Sequence, residues 1–146
     1  MSHTSSRPRA IGALICSATL LSAPVMASEG EVEYRQHTYA AIGGHMQATA
    51  DILQQKVTHT EHLALHVNGL VALSGIVDTL FPESAQGGDA LPEIWENPDD
   101  FARKIQTFQD AAADLKAALD TGGNLGSALQ NVGQACKGCH DNDRAE

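Results

Sequence analysis

The 146-residue sequence predicts an all-α protein built as an antiparallel bundle of four helices. Apolar residues recur at intervals of three and four positions in four separate segments, which is the spacing of an amphipathic helix. No segment shows the alternation of apolar and polar residues that a half-buried strand requires. The connections between the segments are mostly short, and short connections place consecutive helices side by side in opposite directions.

The first helix is predicted over residues 31–55. By spacing, Arg35 belongs to its inward stripe, whose apolar members are Val32, Tyr39, Ile42, Met46 and Leu53. Gly43 and Gly44 lie in the middle of this helix, where each glycine costs about 1 kcal/mol relative to alanine. Such a cost is usually offset by close approach of a neighbouring backbone, either within the bundle or between two copies of the chain.

The second helix is predicted over residues 60–80, and Phe81-Pro82 ends it. Its inward face consists of Leu63, Val67, Leu70, Val71, Val77 and Leu80. Residues 83–97 are rich in turn formers and include Gly87-Gly88, so we expect a long loop there.

The third helix has a clear start, with Asn97 as N-cap, Pro98 at the first helical position and two acidic residues after it. Its seam is Phe101, Ile105, Phe108, Ala112, Leu115 and Leu119. Gly122-Gly123 ends it. The apolar face of the fourth helix is Leu125, Leu129, Val132 and Cys136.

The N-terminal segment resembles a secretory signal rather than part of the bundle. Two arginines precede an apolar stretch over residues 10–21, and small residues follow up to Ala27. We therefore predict a signal peptide at 1–27, a mature bundle at 28–146 and a periplasmic location. The signal holds two of the nine basic residues and none of the eighteen acidic ones, which leaves the mature chain a net charge of −11. This charge argues against nucleic acid and anionic membranes as partners. A basic protein partner is compatible with it, but so is simple solubility, which is the favoured reason for the charge.

The chemistry lies in the run Cys136-Lys137-Gly138-Cys139-His140, a C-x-x-C-H motif. In this motif two thiols bind the vinyl groups of one haem as thioethers, and the following histidine is the proximal iron ligand. A zinc site would need further ligands at matched spacing. A redox dithiol would be expected at the start of a helix in a βαβ unit. We therefore predict one covalent haem c near the C-terminus, with Cys136 and Cys139 as attachment points and His140 as the axial ligand.

The position of this motif on the last helix is one of several features that closely resemble the cytochrome c′ family, including its low-spin relatives. The others are Tyr34-Arg35-Gln36, Gly43-Gly44-His45-Met46, Pro92-Glu93-Ile94-Trp95 and Arg144. The resemblance implies that Arg35 and Gln36 reach towards the haem propionates and that Arg144 acts on the proximal side. It also implies a homodimer formed by the first two helices.

Trp95 agrees with the family pattern, whereas Asp143 departs from it. Trp95 matches a loop tryptophan of the family, but as the only Trp it could equally serve ordinary packing. Asp143 stands where the family usually has Phe or Tyr, so Asp141 and Asp143 both flank the ligand region. Their negative charge should favour the ferric state.

The distal face of the haem decides the function. Low-spin members of the family have a methionine four residues after the first-helix arginine, where this chain has Tyr39. A neutral phenol is a poor iron ligand, so we predict five-coordinate, high-spin iron that binds NO or CO at a site crowded by Tyr39. Coordination by a Tyr39 phenolate and a purely structural role for Tyr39 are the alternatives. Met46 competes for the sixth position but is favoured as a core residue, and His37 and His45 are predicted on the surface.

The predicted function is therefore a gas-binding cytochrome that can also transfer electrons to an unidentified redox partner. The alternative is a six-coordinate, low-spin electron carrier that binds no exogenous ligand. No distal acid–base pair is evident in the sequence, so we do not expect an enzyme. His62 and His66 lie one turn apart near His59, but no third metal ligand of known orientation accompanies them, which favours a solvated helix face.

Overall fold

A computed structural model describes residues 27–145. All secondary-structure elements in this range are α-helices or 3₁₀ turns. The helices are α1 (Ala27–Leu53), α2 (Leu63–Ser74), α3 (Glu93–Glu96), α4 (Pro98–Thr121) and α5 (Leu125–Asp143). Within this range the only β-type pairings are isolated bridges, Gly87 with Ala90 and Ala90 with Arg144. The all-α prediction is confirmed. The proposed signal peptide lies outside the described residues except for Ala27, so it stays a prediction.

Helix α1 spans most of its predicted range, but it ends two residues early. Gln55 has a positive φ of 57°, a conformation that few non-glycine residues adopt and that cannot continue a helix. Lys56 lies just beyond and pairs with Asp51 at 3.1 Å across the last turn.

The second predicted helix is not continuous, which corrects the sequence prediction. A 3₁₀ turn at Thr60–His62 precedes α2, and a second one at Val77–Leu80 follows it. The amide of Gly75 still makes a helical bond to the Val71 carbonyl at 3.2 Å, but the amide of Ile76 bonds the Leu73 carbonyl, three residues back, at 3.2 Å. The α-helical pattern therefore ends before Val77, although Val77 and Leu80 are still buried as predicted.

Helix α4 begins at Pro98 as predicted, but the side chain of Asn97 does not cap it. Instead the Asn97 carbonyl accepts the amides of Asp100 and Phe101, each at 3.1 Å. The helix ends at Gly122, whose φ of 70° lies in the left-handed region that glycine adopts without a steric cost.

Helix α5 begins at a side-chain cap that the sequence prediction missed. The Asn124 side chain accepts the amide of Ser127 at 3.0 Å.

The four long helices enclose a core whose most deeply buried residues come from α1, α2, α4, α5 and the second 3₁₀ turn. These are Thr49, Val67, Leu70, Val77, Leu115 and Val132. Helix α4 packs most extensively against α5, and α2 packs against α1 and α4, whereas α1 and α5 share only a small contact. The sparse contact leaves space between α1 and α5. Among residues 27–145, no helix is long and apolar enough to cross a membrane.

Candidate haem-binding site

A cavity of about 610 Å³ lies between α1, α4, α5 and the segment that connects α2 to α4. All seven site residues predicted from the sequence line it: Arg35, Gln36, Tyr39, Cys136, Cys139, His140 and Arg144. Further lining residues are mostly apolar, among them Ile42, Phe101, Ile105 and Phe108. Its volume is in the range of about 300–1,000 Å³ that small-molecule and cofactor sites occupy.

Helix α5 presents the motif from one wall. Cys136 and Cys139 are free thiols, half-buried and three residues apart on the helix, so both lie on the side that faces the cavity. Burial raises the pKa of both thiols. That of Cys139 reaches about 11, with the nearby Asp143 carboxylate as the next contribution. Both cysteines are therefore neutral thiols at physiological pH.

His140 follows at the rim of the same wall. Partial burial, and then the charge of Arg144, lowers the pKa of its imidazole below the usual 6.5. The neutral ring keeps a lone pair, which is the form in which imidazole binds a metal.

Tyr39 lies on α1 and is half-buried. Burial raises the pKa of its phenol well above 10, and this effect outweighs the opposing charge of Arg35. The Tyr39 ring packs edge-on against Phe81, with the ring centroids 6.1 Å apart. The phenol is therefore protonated and held by aromatic packing at the cavity wall.

Arg35 is buried, as its place on the inward stripe predicts, and its exposed fraction is only 4%. Its guanidinium donates to three backbone carbonyls beyond α2, those of Leu80 (3.3 Å), Ala85 (2.8 Å) and Gly87 (2.7 Å). It also lies over the Phe81 ring, 4.9 Å from the centroid. Arg35 thus fastens the segment after α2 to α1, while the propionate contact inferred from the family resemblance stays a prediction.

Gln36 lies beside the same segment. A Cβ at Gly88 would come within 3.1 Å of Gln36 Nε2 and 2.8 Å of Val32 Cγ1, and the φ of Gly88 is +61°. Glycine is therefore needed where this segment approaches α1, since a side chain there would displace Gln36 from the cavity edge.

Phe81, which the sequence reading treated only as a helix end, is an aromatic centre of the site. Its ring contacts Phe101 with centroids 4.7 Å apart, and its carbonyl accepts the Trp95 indole N–H at 3.1 Å. Trp95 therefore has a defined structural role, holding the cavity-lining Phe81 in place. The sequence carried no signal for it, because these aromatic residues meet only in the folded chain.

Asp143 is buried and paired, so its negative charge is balanced by a neighbouring cation, while its effect on the oxidation state stays a prediction. Lys104 Nζ on α4 donates to its two carboxylate oxygens at 2.8 and 3.0 Å, and also contacts Asp100 at 2.9 Å. Asp141 pairs with Lys137 on the exposed side of α5. Lys104 is a site residue that sequence reasoning missed, since it lies 39 positions from its partner.

The end of α5 is fixed to the same segment that Arg35 holds. The amide of Leu91 donates to the Asp143 carbonyl at 3.0 Å, and the amide of Ala145 donates to the Asp89 carbonyl at 2.8 Å. Arg144 lies 3.6 Å from the Asp89 carboxylate. The haem-attachment motif is thus held from both α4 and this segment.

The other residues considered for the sixth iron position, Met46, His37 and His45, lie in different environments. Met46 packs against the core, as expected, but it also lines the cavity. His37 is exposed as predicted. The surface prediction for His45 is wrong, because its ring is half-buried and its Nδ1 lies 3.1 Å from Nδ1 of His66 on α2.

The donor set fits a covalent haem c. Two thiols on one helical turn, a neutral imidazole beside them and an apolar cavity are what this group requires for attachment, ligation and burial. A disulfide is not formed, and the described cavity offers no second cysteine pair or further imidazole from which a zinc site could be completed.

Comparison with known proteins gives consistent matches along the chain. The family model described as Cytochrome C' matches residues 30–144. A cytochrome c' from Alcaligenes xylosoxydans xylosoxydans is 34% identical, over 77% of this chain and 91% of that protein. A cytochrome c-554 from Cereibacter sphaeroides is 30% identical, over 93% of this chain and 97% of that protein.

Solved structures of cytochrome c prime from Alcaligenes xylosoxidans have a similar fold. The nitric oxide complex of a leucine-to-valine variant has a TM-score of 0.76 and 33% identity, and the match covers 82% of this chain and 97% of that one. A carbon monoxide-bound leucine-to-glycine variant gives the same TM-score, identity and coverage.

Proposed function

Because the chain belongs to the cytochrome c′ family, whose members carry one covalent haem c, we propose that it is a periplasmic cytochrome with five-coordinate, high-spin iron that binds NO or CO. We infer also that its four long helices run antiparallel, with the haem held near the C-terminus by Cys136, Cys139 and His140. The nitric oxide and carbon monoxide complexes of the related cytochrome support the choice of ligands.

The observation that carries this proposal is the position of Tyr39 at the cavity wall, where its ring packs against Phe81. Burial there raises the pKa of the phenol, which disfavours the phenolate that ligation would need. Its ring, supported by Phe81, occupies space in the apolar cavity and disfavours water there. A small uncharged molecule needs no polar partner in such a place, which favours a neutral diatomic over an anion.

When bound, the haem supplies an iron that can take a diatomic ligand and exchange one electron. The neutral imidazole of His140 is available as the proximal ligand, and the two cysteines fix the cofactor to α5. Tyr39 limits the size of what can enter. Arg35 holds the segment that closes the cavity through its three carbonyl contacts. We propose no catalytic role, since His140 is the only imidazole among the described residues lining the cavity.

One observation favours a second candidate, a six-coordinate, low-spin electron carrier. Met46 lines the same cavity as Tyr39, and a thioether is a better ligand than a phenol.

The test is to express the mature protein with a haem-maturation system and record absorption and EPR spectra, ferric and ferrous, with and without CO and NO. A high-spin spectrum that shifts with either gas supports the open site. A low-spin spectrum that ignores both gases supports ligation by Met46.

Two matched variants make this test sharper. Tyr39→Met places a thioether where low-spin relatives have one, and we expect it to convert the iron to low spin and weaken CO binding. Tyr39→Phe removes only the hydroxyl, so the iron should stay high-spin. If Tyr39→Phe alone changed the resting spin state, the phenol would be a ligand and the five-coordinate proposal would fail.

We propose further that the protein is a homodimer and passes electrons to a redox partner protein. Gly43 and Gly44 are exposed on α1, and a Cβ at either would meet no described atom within 4 Å. Gly43 also lines the haem cavity, so the haem site accounts for it, whereas nothing described lies against Gly44; we infer that a second copy of the chain approaches Gly44. Gly44→Glu should convert the dimer to a monomer in light-scattering measurements, whereas Ala113→Glu, at an exposed position on α4, should not. A wild-type monomer at micromolar concentration would contradict the dimer.

A further inference from the structure

The turn before α2 brings together three side chains that the haem site does not use. Residues Thr60–His62 form a 3₁₀ turn, in which side chains three positions apart are eclipsed. His59 is the residue just before this turn and lies three positions from His62, and their rings stack with centroids 5.0 Å apart and an interplanar angle of 13°. The turn thus brings the two imidazoles side by side.

Glu61 completes a cluster of three potential metal ligands. Its Oε1 lies 3.6 Å from His59 Nδ1 and 3.5 Å from His62 Nε2. One donor atom from each residue lies within 4.8 Å of the other two. Two donors bound at about 2.1 Å to a tetrahedral ion are about 3.4 Å apart, so both nitrogen–oxygen distances already match shared ligation.

The backbone of the turn is fixed, which lowers the conformational cost of binding. The amide of Thr60 donates to the Thr58 carbonyl at 2.9 Å, and the amide of His62 donates to the His59 carbonyl at 3.0 Å. The three side chains are exposed, so an ion can reach them directly.

The local charge suits a cation. A backbone hydrogen bond, and then the adjacent imidazoles, lowers the pKa of Glu61, which is therefore ionised at neutral pH. Within residues 27–145, Glu61 forms ion pairs only with these two histidines, so no lysine or arginine occupies the cluster. The chain as a whole is acidic, with a net charge of −9.

The sequence had suggested a different grouping, His62 with His66 one turn later. In the fold His66 turns to His45 on α1 instead. The two pairs are thus separate, and only the turn before α2 adds a carboxylate to its imidazoles.

We propose that His59, Glu61 and His62 form a surface site for one divalent transition-metal ion of the Zn²⁺ or Cu²⁺ class, with solvent as the remaining ligand. Two imidazoles and one carboxylate are a ligand set that zinc accepts readily. An ion there would link the end of the α1–α2 connection to the start of α2. The site is independent of the haem cavity, since none of its residues lines that cavity.

The test is calorimetric titration of the untagged holoprotein with Zn²⁺ at pH 7. We expect one ion per chain, and His59→Gln and His62→Gln should each weaken binding at least tenfold. His37→Gln, an exposed histidine on α1, should leave binding unchanged. An unchanged haem spectrum and helical circular dichroism would show that each variant is folded.

A double variant, His45→Gln with His66→Gln, separates the two histidine pairs. Zinc binding that survives this double variant and is lost with His59 or His62 supports the proposal. Binding that follows His45 and His66, binding indifferent to every variant, or no binding at 100 times the protein concentration overturns it.

Discussion

The buried ion pair between Lys104 and Asp143 should be a main determinant of stability at the end of α5. Asp143 retains an exposed fraction of 6%, and Lys104 Nζ contacts both of its oxygens at 2.8 and 3.0 Å. Lys104→Met would keep the length and apolar stem of the side chain while leaving a buried carboxylate without its partner. Such a stranded charge is the costly case for a buried pair.

The magnitude follows from burial. Removing one member of a fully buried pair costs about 3–5 kcal/mol. The Lys104 side chain is a fifth exposed and water can partly replace it, so we expect about 2–4 kcal/mol. Lys116 provides the matched control, because it pairs with Asp120 on the same helix but in an exposed position. Lys116→Met should cost about 0.3–0.5 kcal/mol.

The measurement is urea unfolding of the holoprotein at pH 7, with stabilities compared at equal slope. Adding Asp143→Asn to Lys104→Met removes the stranded charge and should recover at least half of the loss. The reasoning is refuted if Lys104→Met costs no more than Lys116→Met, or if the double variant is no more stable than the single one. The midpoint potential of Lys104→Met should also fall, because the uncovered carboxylate lines the haem cavity and favours the ferric state.

Three further predictions concern other parts of the molecule. Hydrogen bonding to Asp143 raises the pKa of Lys104 above 10.5. The stabilisation by this ion pair should therefore be complete below pH 10.5 and lost as the pH rises through the raised pKa. Measured from pH 8 to 12, the free energy of unfolding of the wild type should approach that of Lys104→Met. Arg35→Met should remove the side-chain donor from three carbonyls, of which that of Gly87 also accepts the Ala90 amide at 3.4 Å, and should cost about 2–4 kcal/mol. Limited proteolysis should then cut within residues 81–90 faster than in wild type. Gly69→Ala should destabilise the protein by about 1 kcal/mol in thermal unfolding, because the new Cβ would lie 2.6 Å from the His45 ring. In a His45→Ala background, where the ring is gone, the same change should stabilise the helix by about 0.5–1 kcal/mol.

Local signals in the sequence were sufficient for most of the fold. Helix α4 begins at Pro98 and ends at Gly122, and each end depends on the backbone conformation of that one residue. The burial of Arg35 followed from helical phase alone, since it shares a stripe with apolar neighbours. The C-x-x-C-H motif carries its chemistry within five consecutive residues. Each of these inferences needed only a short stretch of chain.

The features that the sequence did not predict arise from contacts between distant residues or from competition between local structures. Lys104 and Asp143 are far apart in the chain, and nothing near either of them indicates the other. His45 was predicted on the surface because it lies off the apolar stripe of α1. The absence of a side chain at Gly69 makes room for its ring. The break after Ser74 is a change to 3₁₀ hydrogen bonding, in which the amide of Ile76 bonds the Leu73 carbonyl at 3.2 Å, and apolar spacing does not report such a change.

The chemical character of the distal wall depends on the balance of effects on the pKa of Tyr39. Burial raises the phenol's pKa most, the nearby Cys139 and Cys136 raise it further, and the charge of Arg35 lowers it with the smallest effect. The guanidinium donates three hydrogen bonds to carbonyls of the segment after α2 and is directed there rather than at the phenol. Arg35 therefore stabilises the closed cavity without ionising its neighbour. An aromatic wall that remains neutral offers little to a charged ligand and least resistance to a small neutral one, which is the selectivity that binding NO or CO requires.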